Sequence, residues 1–94
     1  MAEESFGEAI RRSRKETGVS LRKLARMAEI SPAYLSKLER GLLPPPSEEF
    51  INSISSALEV DSDWLLAKAG KVATDVIKAI VSDPAIINSI RGKV

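Results

Sequence analysis

The stretch from Ser20 to Gly41, SLRKLARMAEISPAYLSKLERG, constrains the fold more than any other part of the chain. It predicts two short helices joined by a tight turn. Ser20 is expected to cap the first helix, because its hydroxyl can accept an unpaired backbone N–H at a helix start. Ser31 is expected to cap the second, where Pro32 takes the first helical position and its missing N–H costs nothing. Gly41 then supplies the left-handed residue at which helices commonly end.

The second helix of this pair has two halves of different chemistry at helical spacing. One half carries large apolar side chains and a glutamate: Tyr34, Leu35, Leu38 and Glu39. The other carries small and basic side chains: Pro32, Ala33, Ser36, Lys37 and Arg40. We predict that the apolar half packs inward. A helix with small and basic residues outward, held by a second short helix, suits the major groove of DNA.

This stretch resembles the helix-turn-helix of the lambda-repressor-like, Cro/XRE family of transcriptional regulators. The run SPAYLSKLERG is similar to that family's recognition helix, and LRKLARMAEI to the preceding helix and turn. The resemblance extends over about Phe6 to Gly70, through a proline-rich loop and the runs SEEFINSISSALEV and DSDWLLAKAG. It implies an all-α protein with a five-helix lambda-repressor-like DNA-binding domain at residues 1–70. Residues 71–94 go beyond the family's minimal domain and are predicted to form a C-terminal helical extension, a possible dimerisation element.

The resemblance also implies roles for individual residues. Related proteins read DNA sequence at the positions of four residues of the second helix, which we expect to contact bases: Pro32, Ala33, Ser36 and Lys37. Lys37 is the strongest of these candidates, because an ammonium can serve the O6 and N7 acceptors of guanine. Phosphate contacts are expected from polar and basic residues of the same helix pair: Arg22, Lys23, Ser31, Tyr34 and Arg40.

Two positions depart from the family pattern. Glu29 stands where the family usually has glycine, and a left-handed backbone there costs on the order of 1 kcal/mol. Leu21 stands where the family often has a glutamine that braces a phosphate and a base-contacting residue. That contact is therefore absent or made by Arg22.

The first helix is expected to run from Ser5 or Glu4 to about Glu16, with an apolar face that includes Phe6, Ala9 and Ile10. Glu39 falls on the inward half of the recognition helix, and a buried carboxylate needs a partner. In families like this one, an arginine of the first helix pairs with such a glutamate, and Arg14 is at the matching position. We therefore predict a structural ion pair between Arg14 and Glu39. The other basic residues of this helix are expected to be solvated charges: Arg11, Arg12 and Lys15.

Composition excludes several functions. Cysteine and histidine are absent, which removes disulfides, thiolate catalysis and zinc sites, and no glycine-rich phosphate loop is present. We expect no enzyme, no metal and no cofactor. No run is apolar enough to span a membrane, so a cytoplasmic, nucleoid-associated protein is expected. Residues 1–46 carry nine Lys/Arg against six Asp/Glu, whereas residues 47–94 carry five against seven. A basic front half suits contact with phosphates, although an ordinary solvated surface explains the charge equally well.

Beyond the helix pair, Ser47 and Asp61 are expected to cap two further helices, and Phe50 is expected on the core face of the first of them. In the tail, which is rich in isoleucine and valine, Thr74 is expected to cap one helix, and the pair Asp83-Pro84 predicts the start of a second. Short isolated helices are marginal in water, so the tail is expected to pack on its own domain or on a second copy.

The sequence therefore predicts a repressor or autoregulator that binds double-stranded DNA at a pseudo-palindromic operator as a homodimer, through the recognition helix Ser31–Arg40. Two such helices would enter successive major grooves, about 34 Å apart. The alternative is an antitoxin or other protein-interaction module whose C-terminal tail binds a partner protein.

Overall fold

The structure is a computed structural model that describes residues 3–93. Over that range the chain forms seven helices and no strand: α1 (Phe6–Glu16), α2 (Leu21–Met27), α3 (Pro32–Glu39), α4 (Glu48–Leu58), α5 (Ser62–Lys68), α6 (Thr74–Ser82) and α7 (Ala85–Arg91). The all-α prediction is confirmed. The outer limits of the two predicted domains, Met1 and Val94, lie outside the described residues.

Helix starts follow local side-chain chemistry. Ser5, Ser20, Ser31 and Asp61 each accept a backbone N–H from the third residue of the helix that follows. Ser5 also forms a capping box, in which the Glu8 carboxylate accepts the Ser5 N–H. These caps satisfy backbone donors that have no partner inside the helix.

Two predicted caps are wrong in detail. Ser47 occupies the cap position of α4, but its side chain makes no capping hydrogen bond. Thr74 is the first residue of α6 rather than its cap, which is Ala73. The Thr74 N–H instead donates to Glu48 Oε1 at 2.8 Å, so a carboxylate from another helix satisfies this donor. That carboxylate ties the start of α6 to the start of α4.

Helices α1 to α5 enclose one apolar core. Its buried members come from all five helices: Phe6, Ala9, Ile10, Leu24, Ala25, Ala28, Leu35, Leu38, Ile51, Ile54, Leu58, Leu65 and Leu66. The prediction for Phe50 is wrong, since 44% of this residue is exposed. The core face of α4 is formed by Ile51, Ile54, Ser55 and Leu58, at helical spacing. Phe50 precedes this face and lies on its flank.

Helices α1 and α3 approach each other closely at Gly7. A Cβ atom placed on Gly7 would lie 2.3 Å from the carbonyl oxygen of Leu38 and 2.6 Å from that of Glu39. Both carbonyls belong to the last turn of α3. Only a residue without a side chain permits this approach, which fixes the end of α3 against the start of α1.

In the turn between α2 and α3, Glu29 replaces the glycine of the family pattern, but the left-handed backbone conformation is kept. Glu29 has φ 58°, so the left-handed backbone considered for this position is present despite the side chain. Glu59, after α4, has a similar φ of 56°. Each residue is strained by on the order of 1 kcal/mol relative to glycine.

The tail forms a pair of short helices with little cover from the rest of the chain. No residue of α6 or α7 is buried. Large apolar side chains remain exposed along the tail: Val72, Val76, Ile77, Val81, Ile87 and Ile90. The described tail therefore does not fold back into the core of its own domain. No helix within residues 3–93 is long and apolar enough to cross a bilayer.

Candidate nucleic-acid interface

The outward half of α3 presents most of the predicted base-contacting residues to solvent. Pro32, Ala33 and Lys37 are exposed, and Ser36 is partly exposed. Leu35 and Leu38, on the opposite half, are almost completely buried. Because one half of α3 is anchored in the core, the other half is held in a fixed orientation at the surface.

Most of the residues predicted to contact phosphates are also exposed. Arg22 and Lys23 are exposed in the first turn of α2, and Arg40 is exposed at the end of α3. The Ser31 hydroxyl already accepts the Tyr34 N–H at 3.1 Å, so it remains a cap while it lies at the surface. Tyr34 is half-buried and packs against the core, so its ring has a structural role.

An ion pair holds α3 on α1. Arg14 Nε donates to Glu39 Oε2 at 2.8 Å, and Arg14 Nη2 donates to Glu39 Oε1 at 3.0 Å. A third bond runs from Arg14 Nη1 to the carbonyl of Val19 at 3.2 Å. The Glu39 carboxylate raises the pKa of Arg14 through these hydrogen bonds. The ion pair is bidentate and mostly buried, so it fixes the register of α1 against α3.

Arg12 is engaged on a different flank of α1 and is not the freely solvated charge that was predicted. Its guanidinium donates to the Glu4 carboxylate at 2.6 and 2.9 Å, and to Glu16 at 3.0 Å. It also lies over the Trp64 ring, 5.7 Å from the ring centroid. The hydrogen bond from Arg12 lowers the pKa of Glu4. These contacts join α1 to α5.

A cleft of about 250 Å³ lies between α1, the start of α2 and α3. It is lined by Arg11, Arg14, Leu21, Ser36, Glu39 and Arg40. Arg40 Nε donates to the Ser36 carbonyl at 3.4 Å, which holds this guanidinium along α3. Arg11 was not among the predicted site residues, because helical periodicity gives no sign of a cleft formed where helices cross.

Known proteins share the helix arrangement described above. A family model described as "Helix-turn-helix domain" matches residues 5–67, which include the capped helix pair and the exposed half of α3. The chain belongs to this helix-turn-helix family. It is 38% identical over 70 residues to the HTH-type transcriptional regulator SinR of Bacillus licheniformis. That match covers 74% of this chain and 63% of SinR, so the chain corresponds to about three fifths of its relative's length.

Solved structures show the same fold. A crystal structure of SinR in complex with DNA matches with a TM-score of 0.61 and 41% identity, over 65% of this chain and 97% of that one. The P22 c2 repressor in complex with a synthetic operator matches with a TM-score of 0.63 and 30% identity, over 70% and 98%. The predicted lambda-repressor-like fold is thereby confirmed. These proteins are named as regulators and repressors, not as enzymes.

Proposed function

We propose that this chain is the DNA-binding part of a transcriptional regulator that inserts α3 into the major groove of an operator. The observation that carries the proposal is the exposed small and basic half of α3, anchored from behind by Leu35, Leu38 and the Arg14–Glu39 pair. DNA complexes of SinR and of the P22 c2 repressor support it. The protein would act in the cytoplasm on chromosomal DNA, by blocking or recruiting polymerase.

The base contacts are assigned from the resemblance to related regulators, and the exposure of most of these residues supports the assignment. Base edges are met by Pro32, Ala33, Ser36 and Lys37, with Lys37 as the main donor to guanine. Phosphates are met by Arg22, Lys23, Ser31, Tyr34 and Arg40, which position the helix. Three of the four base-contacting side chains are short or uncharged. We therefore infer that DNA shape contributes part of the sequence preference.

The experiment is selection from a randomised DNA pool at near-physiological salt, followed by sequencing of the bound fraction. Enrichment of an inverted repeat, with half-sites about one helical turn apart, supports a dimeric regulator. Retention of DNA without any sequence enrichment would contradict it.

A pair of variants then assigns the base contact. Lys37→Ala should weaken binding to the selected operator more than binding to random DNA, because only the operator offers the matched guanine. Lys15→Ala removes the same charge from an exposed position on α1 and should affect both DNAs alike. An equal loss on both DNAs for Lys37→Ala would assign Lys37 to phosphate instead.

We infer that residues 71–94 form a separate element that contributes to a homodimer. The support is the row of exposed apolar side chains on α6 and α7, which water disfavours. Val81 is 74% exposed and can be changed to aspartate at little cost to the single chain. Val81→Asp should shift sedimentation equilibrium toward monomer, whereas Lys78→Gln, on the same helix, should not.

The alternative to a homodimer is that the tail binds a different protein. One solved structure that covers 94% of this chain is a complex of SinR with SinI, at 30% identity and a TM-score of 0.62. A chain that stays monomeric at all concentrations, with or without DNA, would favour such a heterologous partner. The relatives named above are transcriptional regulators, so they give no support to the antitoxin alternative.

A further inference from the structure

The cleft between α1, α2 and α3 opens directly beside the recognition helix. One of its walls is Ser36 and Arg40, which lie one turn apart on α3. The opposite wall is Arg11, on α1. This cleft of about 250 Å³ is open to solvent, so a DNA phosphate can approach the side chains of both walls.

The cleft carries a net positive charge. Its lining contains three arginines and one glutamate, which gives +2. Arg14 and Glu39 neutralise each other through their two hydrogen bonds. The remaining charge belongs to Arg11 and Arg40, whose guanidinium groups favour phosphate because they can donate two parallel hydrogen bonds.

Arg11 has no ion-pair partner among the described residues, in contrast to its neighbour Arg12. Arg12 is held by Glu4 and Glu16, whereas Arg11 forms no salt bridge or side-chain hydrogen bond with any other described residue. Arg11 also borders a groove on the other flank of α1 where Glu4, Glu8 and Glu16 lie, and it pairs with none of them. Its side chain is exposed and free to turn toward a ligand in the cleft.

We propose that Arg11 and Arg40 form a pocket for one DNA backbone phosphate beside Ser36, which makes Arg11 a phosphate-contacting residue. The proposal rests on the proposed function, since it assumes that α3 enters a major groove. Leu21 lies in the same cleft. Its apolar side chain cannot bond a phosphate, so Arg11 and Arg40 supply the charged donors of the cleft.

The test compares Arg11→Ala with Lys15→Ala, which removes one positive charge a single turn further along α1 and outside this cleft. Dissociation constants for the selected operator and for random DNA are measured over a series of salt concentrations. Arg11→Ala should weaken binding to the operator and to random DNA about tenfold each. This is the lower end of the range expected for the loss of one charge-assisted hydrogen bond. Arg11→Ala should also reduce the salt slope by about 0.9. Lys15→Ala should change affinity less than about twofold.

A second measurement locates the phosphate. Single uncharged methylphosphonate linkages are placed in turn along the operator backbone. One linkage should weaken binding of the unmodified chain and leave binding of Arg11→Ala unchanged, because the partner of that phosphate has already been removed. Thermal unfolding of Arg11→Ala should match that of the unmodified chain, since this side chain forms no hydrogen bond or salt bridge with any residue that the structure describes.

The outcomes separate the two proposals. If the unmodified chain selects an operator but Arg11→Ala behaves like Lys15→Ala, this inference is refuted and the proposed function stands. The same holds if every linkage that weakens the unmodified chain also weakens Arg11→Ala. If the unmodified chain binds no DNA at all, the proposed function is refuted, and the phosphate pocket with it.

Discussion

Removing one partner of the Arg14–Glu39 pair should destabilise the fold far more than replacing both. The Glu39 side chain is 5% exposed and the Arg14 side chain 14%, and two hydrogen bonds join them. Glu39→Leu leaves a guanidinium with unpaired donors in a mostly buried site, which costs about 3–5 kcal/mol. The small exposure of Arg14 lets water reach part of the freed group, so we expect about 3 kcal/mol.

The double variant Arg14→Met with Glu39→Leu removes both charges and keeps similar volume. Such replacements are often neutral or stabilising, because neither charge has to be desolvated on folding. The carbonyl of Val19 loses its Arg14 donor, which costs about 1 kcal/mol. We therefore expect the double variant to unfold within about 1 kcal/mol of the unmodified chain.

The assay is urea unfolding followed by far-ultraviolet circular dichroism, with protein concentration held constant so that any self-association contributes equally. The two single variants and the double variant form a thermodynamic cycle, and the coupling free energy should exceed about 2 kcal/mol. If the two single effects simply add, the pair is not coupled, and its assignment as the structural link between α1 and α3 is wrong.

Three further variants test other features of the fold. Gly7→Ala should destabilise the fold by about 1–2 kcal/mol in urea unfolding, since overlap with the Leu38 carbonyl outweighs the better helix propensity of alanine. Glu29→Gly should stabilise by about 0.5 kcal/mol, because relief of the left-handed strain exceeds the added entropy of the unfolded chain. Thr74→Pro keeps the helix start but removes the N–H that Glu48 accepts, so amide hydrogen exchange in α6 should accelerate relative to Thr74→Ala, which retains that donor. No change in exchange would mean that this bond does not hold the tail.

The features that sequence predicted well are those decided within one or two helical turns. Ser20 and Ser31 cap their helices because a hydroxyl three residues before an N–H is a local arrangement. The inward and outward halves of α3 follow from helical periodicity alone. Periodicity also places Glu39 on the buried half of α3. A buried carboxylate needs a partner of opposite charge, which here comes from another helix.

The features that sequence missed depend on how helices cross. Phe50 satisfies the periodic pattern as well as its neighbours do, but α4 is rotated so that Ser55 faces the core. Arg11 and Arg12 are adjacent arginines with the same expected role, but Arg12 pairs with Glu4 and Glu16 and lies over the Trp64 ring of α5. The cleft beside Arg11 exists because α1, α2 and α3 meet at an angle, which no spacing in the sequence reports.

The contacts that stabilise α3 also determine where the DNA-binding groups lie. Gly7 sets how closely α1 approaches the end of α3, and Arg14 sets their register through Glu39. Arg11 is one turn before Arg14 on α1, so the same register fixes its distance from Ser36 across the cleft. A variant that preserves overall stability but loosens this register should therefore weaken DNA binding through misplacement of phosphate donors. The Arg14→Met, Glu39→Leu double variant removes one charge of each sign and so keeps the net charge, and we expect it to bind the operator more weakly than the unmodified chain at similar stability.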